Sequence, residues 1–261
     1  MERDVQGGIL IDTHCHLNDP SFEGSVGDVL SRARGKGVTA CVVPAYDRAS
    51  LPRTLELAGR YPKAVFPAFG IHPWYLDGGG LEDVEYYLKR PGTSAVGEIG
   101  LDLAQGMPAR EVQEKALVAQ LDMAANLGLP VIVHCRKAHG LLYDILTAYR
   151  GKMDVVLHSF SGSFEVMERF IDLGCYISFS GSVTRQGAKK YHRCAHQVPE
   201  GRLLLETDAP SIATQTTVAS CVEPHHAVEV ARKVAEVRGV PYDEVCRIST
   251  RNAARVFSIP A

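Results

Sequence analysis

Short apolar runs that alternate with segments of helical periodicity constrain this chain more than any other feature. The runs are Gly8–Asp12, Thr39–Ala45, Val65–Ile71, Ala95–Ile99, Val131–Cys135, Val155–Leu157, Tyr176–Ser180 and Leu203–Glu206. Each is mostly apolar on both faces, the pattern of a parallel strand covered on both sides. Between them lie the helical segments Gly27–Lys36, Ala49–Tyr61, Leu81–Arg90, Ala109–Leu127, Leu141–Tyr149, Phe164–Leu173 and Ala188–His196. Ala227–Val237 and Tyr242–Phe257 follow the last run. Gly37, Gly128 and Gly174 supply helix stops.

Parallel strands joined by helices leave two architectures, a doubly wound sheet or a (β/α)8 barrel. A doubly wound sheet normally carries a glycine-rich phosphate loop after its first strand, whereas this chain has Asp12-Thr13-His14-Cys15-His16 there. The expectation is an α/β chain forming a single (β/α)8 TIM barrel, with one domain over residues 1–261. Gly78-Gly79-Gly80 reads as a loop too short to separate domains.

Charge and cysteine content narrow the function classes. With 28 Lys+Arg against 30 Asp+Glu, the chain has no surplus for a broad basic face that coats nucleic acid. No apolar run approaches the ~20 residues that span a bilayer, and the polar N-terminus lacks a signal-peptide layout. The 7 cysteines are odd in number and contain no CxxC pair. A reduced, cytoplasmic protein without membrane or stable protein partners is expected.

In a barrel the loops after the strands build one shared catalytic face. His14 and His16 follow the first run, His72 the third and Asp208 the eighth, while Glu98, His134 and His158 fall at the ends of the fourth, fifth and sixth. Imidazole and carboxylate donors together suit a divalent transition metal. On an extended segment His14 and His16 point to the same side and can bind one ion. Glu98 can bridge two ions about 3.5–4 Å apart. His134 and His158 can bind the second ion, and Asp208 can complete the first site and contact a bound water. His139, His192, His196, His225 and His226 fall in helices or loops and read as structural.

Several stretches make the chain recognisable. They are Ile11-Asp12-Thr13-His14-Cys15-His16-Leu17, Gly70-Ile71-His72-Pro73, Gly97-Glu98-Ile99-Gly100-Leu101-Asp102 and Leu129-Pro130-Val131-Ile132-Val133-His134-Cys135-Arg136. Leu157-His158-Ser159-Phe160-Ser161-Gly162, Leu205-Glu206-Thr207-Asp208-Ala209-Pro210 and Asn252-Ala253-Ala254-Arg255-Val256-Phe257 follow in order. Together they resemble the TatD-type metal-dependent hydrolases, a DNase family within the amidohydrolase-like barrels. The resemblance implies two divalent ions (Zn, Mn, Ni or Mg), one held by His14, His16, Glu98 and Asp208, the other by Glu98, His134 and His158. It places His72 and Arg136 on a substrate phosphate and Glu206 as a further acidic substrate-side position. Such proteins are similar to 3′–5′ exonucleases on single-stranded DNA, and some to deacylases of D-aminoacyl-tRNA.

The resemblance departs at Cys221-Val222-Glu223-Pro224 and in the Thr-rich loop from Ser211 to Ser220, which bears on substrate choice. The expected reaction is phosphodiester hydrolysis at single-stranded nucleic acid ends or in small phosphodiesters, by a water activated between two ions. Asp208 orients that water and takes its proton, and Trp74 stacks a terminal base or packs on the rim. Two rivals remain: amide, ester or lactone hydrolysis by the same site, and a non-catalytic metal-binding scaffold.

Overall fold

The computed structural model describes residues 8–76 and 81–260. The Gly78–Gly80 loop and the N-terminal stretch before residue 8 lie outside the described residues. Eight parallel strands pair in sequence order: β1 (Leu10–Asp12), β2 (Val38–Pro44), β3 (Val65–Phe69), β4 (Ala95–Asp102), β5 (Val131–Arg136), β6 (Val155–Leu157), β7 (Tyr176–Phe179) and β8 (Leu203–Leu205). The helices are α1 (Val26–Gly35), α2 (Ser50–Arg60), α3 (Leu81–Leu88), α4 (Arg110–Leu127), α5 (His139–Thr147), α6 (Phe164–Asp172), α7 (Lys189–Gln197), α8 (Ala227–Arg238) and α9 (Tyr242–Phe257). At the seam between β8 and β1, the Leu205 carbonyl accepts from the Thr13 amide at 3.1 Å and the Thr13 hydroxyl at 2.9 Å. The fold is a (β/α)8 barrel, not a doubly wound sheet.

The both-sided apolarity of the strands has its cause in two separate cores. One fills the barrel with a residue from every strand: Ile11, Val42, Ala68, Ala95, Ile132, Val156, Tyr176 and Leu204. Val256, Phe257 and Ile259 from the end of the chain join this cluster and cover the end where the strands begin. The other core lies between strands and helices and includes Phe69, Leu101, Leu121, Val133, Leu157 and Ile177. Two positions on from Ile132, Val156 and Leu204, the period-2 pleat places His134, His158 and Glu206 on the same inward faces. An apolar plug at the bottom thus becomes a polar layer at the top.

β4 departs from its expected span. It continues to Asp102, so Glu98 sits inside the strand rather than at its end. The β4–β5 register shifts between Val96 and Ile99, an extra residue that re-aims the side chains after it. The strand stays pressed on β5 because residue 100 is glycine. Gly100 has φ +144°, and a Cβ there would stand 2.0 Å from the His134 carbonyl oxygen. Gly70 similarly lets the chain after β3 approach the backbone at Gly97 and Glu98.

Candidate metal centre

His14, His16, His72, Glu98, His134, His158 and Asp208 come together at the end of the barrel where the strands finish. His16, His72, Glu98, His134, His158 and Asp208 line a cavity of about 350 Å³. Glu98 is the hub, and its two oxygens face different partners. Oε2 lies 3.3 Å from His14 Nε2 and 3.5 Å from His16 Nε2. Oε1 lies 2.8 Å from His158 Nε2, 3.4 Å from His134 Nδ1 and 3.3 Å from His72 Nε2. Asp208 Oδ1 adds to the first group, 3.4 Å from His16 Nε2 and 3.7 Å from His14 Nε2.

These donors suit metal ions. His14 Nε2 and His16 Nε2 stand 3.2 Å apart and both face the Glu98 and Asp208 oxygens, a buried convergence of lone pairs that a cation relieves. Three overlapping groups have donor atoms close enough to share an ion: His14, His16 and Asp208; His14, Glu98 and His158; His72, Glu98 and His134. Without an ion, protons on imidazole perform part of the neutralisation. Burial pushes His16 down, but hydrogen bonds with Asp208 and Glu98 outweigh it and raise its pKa to about 10. Burial pushes the Glu98 carboxyl up, and the surrounding His158, His72 and His14 reverse this and hold it well below its ordinary value.

The outer nitrogens of two rings are held by buried carboxylates. His158 Nδ1 lies 3.3 Å from Glu206 Oε1, and that oxygen also accepts from the Ser159 amide at 2.8 Å. His134 Nε2 lies 3.3 Å from Asp102 Oδ2. This corrects the substrate-side expectation for Glu206. Its side chain is fully buried behind His158 and does not line the cavity, so it can fix that ring but cannot touch a substrate.

Asp102 was not singled out from the sequence, although it ends a recognised motif. Its Oδ2 also accepts from Trp74 Nε1 at 2.7 Å and stands 3.8 Å from an Arg136 guanidinium nitrogen. Gln113 and Gln120, seven residues apart on α4, were missed too. Gln113 accepts from the Asp102 amide at 2.7 Å and donates to the Asp102 carbonyl at 2.8 Å. Gln120 accepts from the Ile71 amide at 2.8 Å and donates to the Ile71 carbonyl at 3.2 Å. Both pin backbone that carries site residues. Their signal was weak: two amides on the apolar face of a helix, where a polar side chain needs a partner.

His14 and His16 depend on backbone anchors. The His14 amide donates to Asp12 Oδ1 at 3.2 Å, its carbonyl accepts from the Asp208 amide at 2.8 Å, and the His16 amide donates to the Ala209 carbonyl at 2.7 Å. Asp12 in turn accepts from the Thr207 amide at 3.0 Å and hydroxyl at 2.6 Å, tying the first strand to the last. Asp208 has φ +53°, a left-handed conformation that Asp tolerates better than most residues and that these bonds hold in place.

His72 and Arg136 both reach the cavity. His72 Nδ1 accepts from the Trp74 amide at 3.2 Å, so its neutral ring carries the proton on Nε2, which faces Glu98 Oε1 at 3.3 Å at the edge of the cavity. Arg136 is half exposed and makes a long ion pair with Asp102 at 3.8 Å. His192 is structural, its Nε2 donating to the Val183 carbonyl oxygen at 2.9 Å. His225 and His226 sit beside Glu223, which forms a two-bond pair with Arg32 at 2.8 and 2.7 Å and ties the atypical loop to α1.

A (β/α)8 barrel whose strand ends gather buried histidines and carboxylates around one shared glutamate has the donor set of the metal-dependent hydrolases. Comparison with known proteins makes this specific. The family model described as TatD related DNase matches residues 11–258. The uncharacterized metal-dependent hydrolase YjjV of Escherichia coli is 36% identical over 96% of this chain and 98% of its own length. The human deoxyribonuclease TATDN3 is 31% identical over 95% of this chain and 94% of its own. The crystal structure of YjjV superimposes with a TM-score of 0.90 at 34% identity, covering 96% of this chain and 98% of that one. The chain therefore belongs to the TatD DNase family and is a metal-dependent hydrolase. Among the described residues, no helix is long and apolar enough to cross a membrane.

Proposed function

We propose that this protein hydrolyses phosphodiester bonds at the ends of single-stranded DNA, as a 3′–5′ exodeoxyribonuclease working with two divalent ions. The division of Glu98 carries this reading: one carboxylate presents Oε2 to His14 and His16 and Oε1 to His134 and His158. His14, His16, Glu98 and Asp208 would hold one ion, and Glu98, His134 and His158 the other. Such ions, when bound, supply positive charge for a phosphate and lower the pKa of a water from 15.7 toward ~7.

The chain's own residues perform the remaining tasks. Asp208, in the cavity wall, orients the attacking water and accepts its proton. His72 Nε2–H and the Arg136 guanidinium hold phosphate oxygens, the latter with a planar fork suited to that geometry. Asp102 and Glu206 fix the rings of His134 and His158. Water oxygen forms a bond to phosphorus, and the bond from phosphorus to the 3′ oxygen breaks. That oxygen leaves with a proton, and a nucleoside 5′-monophosphate is released. Human TATDN3, named a deoxyribonuclease, supports this substrate class. The seven cysteines are all free, which supports work in a reducing compartment such as the cytoplasm.

The test is a metal-reconstituted assay on single-stranded DNA with a labelled 5′ or 3′ end, beside bis(4-nitrophenyl) phosphate, esters and lactones. Stepwise shortening from the 3′ end with release of mononucleotides is expected. Turnover of esters or lactones without any phosphodiester cleavage overturns the reading. Purified protein that neither binds a transition metal nor gains activity from one supports the scaffold alternative.

A further inference from the structure

The lining of the cavity is mixed in chemistry. Part of it is aromatic and acidic: Tyr46, Trp74 and Tyr75 together with Asp19. Trp74 and Tyr75 are 45% and 43% exposed, although they are among the largest apolar surfaces in the chain. Trp74 does not swing freely, because its Nε1 is bonded to the buried Asp102 carboxylate at 2.7 Å. The Tyr46 and Tyr75 rings meet at 5.5 Å with a 44° tilt. Burial first, then Asp47 and Asp19, push the Tyr46 hydroxyl up to about 12, and the same two carboxylates act on Tyr75. Of the two acids, Asp19 lines the cavity. The lining also includes Arg136, near the Asp102 oxygen that holds Trp74, and the serines Ser159, Ser161, Ser182 and Ser211. Lys190 on α7 donates to the Ser161 carbonyl at 2.6 Å, adding a second cation there.

A fixed, half-exposed indole beside two phenol rings offers planar faces to a base. The Asp19 carboxylate in the lining repels phosphate, while Arg136 and Lys190 attract it. A volume of about 350 Å³ is space for one nucleotide.

We propose that Tyr46, Trp74 and Tyr75 form a nucleobase subsite for the terminal nucleoside, and that Asp19 selects an end bearing no second phosphate. The remaining strand then runs over Arg136 and Lys190. This rests on the exonuclease reading and adds to it the placement of the substrate and the kind of end accepted.

The chain has one tryptophan, so Trp74 fluorescence reports the subsite directly. Zinc-loaded enzyme is titrated with deoxyadenosine 5′-monophosphate, deoxyribose 5-phosphate and deoxyadenosine 3′,5′-bisphosphate. The monophosphate is expected to quench Trp74 and to bind about tenfold more tightly than deoxyribose 5-phosphate, the scale of one base stack. Tyr75→Ala should remove most of that difference and Tyr75→Phe should restore it. The bisphosphate should bind more weakly than the monophosphate, and Asp19→Asn should narrow the gap. Equal affinity for the monophosphate and deoxyribose 5-phosphate overturns the subsite, as does a Tyr75→Ala variant that binds both as wild type does. Turnover of bis(4-nitrophenyl) phosphate is measured in parallel. Normal turnover with no base-dependent quenching sinks the subsite and leaves the phosphodiesterase reading intact. Base-dependent quenching without phosphodiester turnover supports the subsite and counts against that reading alone.

Discussion

The two halves of the candidate metal centre are built differently. His134 and His158 come from neighbouring strands, and each has its outer nitrogen against a buried carboxylate, Asp102 and Glu206. His14 and His16 come from one short segment beyond β1. His14 Nδ1 is buried with no hydrogen-bond partner, and His16 Nδ1 lies 3.3 Å from the Pro44 carbonyl oxygen. The His14 and His16 half is positioned by its backbone, and the His134 and His158 half by carboxylates that set the ring tautomer and strengthen the donor. Asp102 does more than this. Through one oxygen it also holds Trp74 and approaches Arg136, so one buried charge connects the His134 and His158 half to both side chains.

The largest effect should come from the residue the halves share. Glu98→Ala is expected to abolish turnover and lower metal content in both halves, measured by elemental analysis of the purified variant. Full activity would remove the bridging role. Asp102→Asn and Glu206→Gln should separate the halves. Each is expected to weaken one ion by about 10- to 100-fold in a chelator competition while the other ion is retained. Equal loss of both ions would show that the halves are not distinct.

A pH series sharpens the same contrast. His16, raised to about 10 by Asp208 and Glu98 against burial, holds a proton that an ion must displace. Metal affinity should therefore rise with pH, by about tenfold per unit for each proton released. In the ion-free protein the same proton stabilises the fold. That contribution is complete below the ordinary histidine value of 6.5 and is lost as pH rises through about 10, so ion-free melting temperature should fall over that window. A flat profile in both measurements would remove His16 from the role. The smallest effect should come from the cavity side. His72→Ala and Arg136→Ala are each expected to raise KM with both ions retained, by about tenfold for the loss of one charge-assisted hydrogen bond. Loss of an ion in either variant would move that residue into the metal-binding set.

Much of this was legible from residue types and spacing. The eight apolar runs correspond to the eight strands, and the Tyr242–Phe257 segment coincides with α9. Both-sided apolarity survives in the sequence because both faces of a barrel strand must leave water. The convergence of His14, His16, Glu98, His134, His158 and Asp208 was also legible, because strand ends in a barrel share one rim. The extent of β4 was not. It depends on Gly100 lying against the His134 carbonyl and on a register shift with β5, neither of which is a local property. The resemblance put Glu206 on the substrate side, and its burial behind His158 was hidden because it is a relation between two strands.

By itself, then, the sequence determined the barrel and the donors available for ions, since periodicity and residue chemistry are carried along the chain. Tertiary structure alone decided which oxygen of Glu98 faces which histidines, which carboxylates stand behind the rings, and that Trp74 and Arg136 meet at one oxygen of Asp102. Those are distances between residues far apart in sequence, and the packed barrel sets them to within a few tenths of an ångström because close-packed interiors leave little slack.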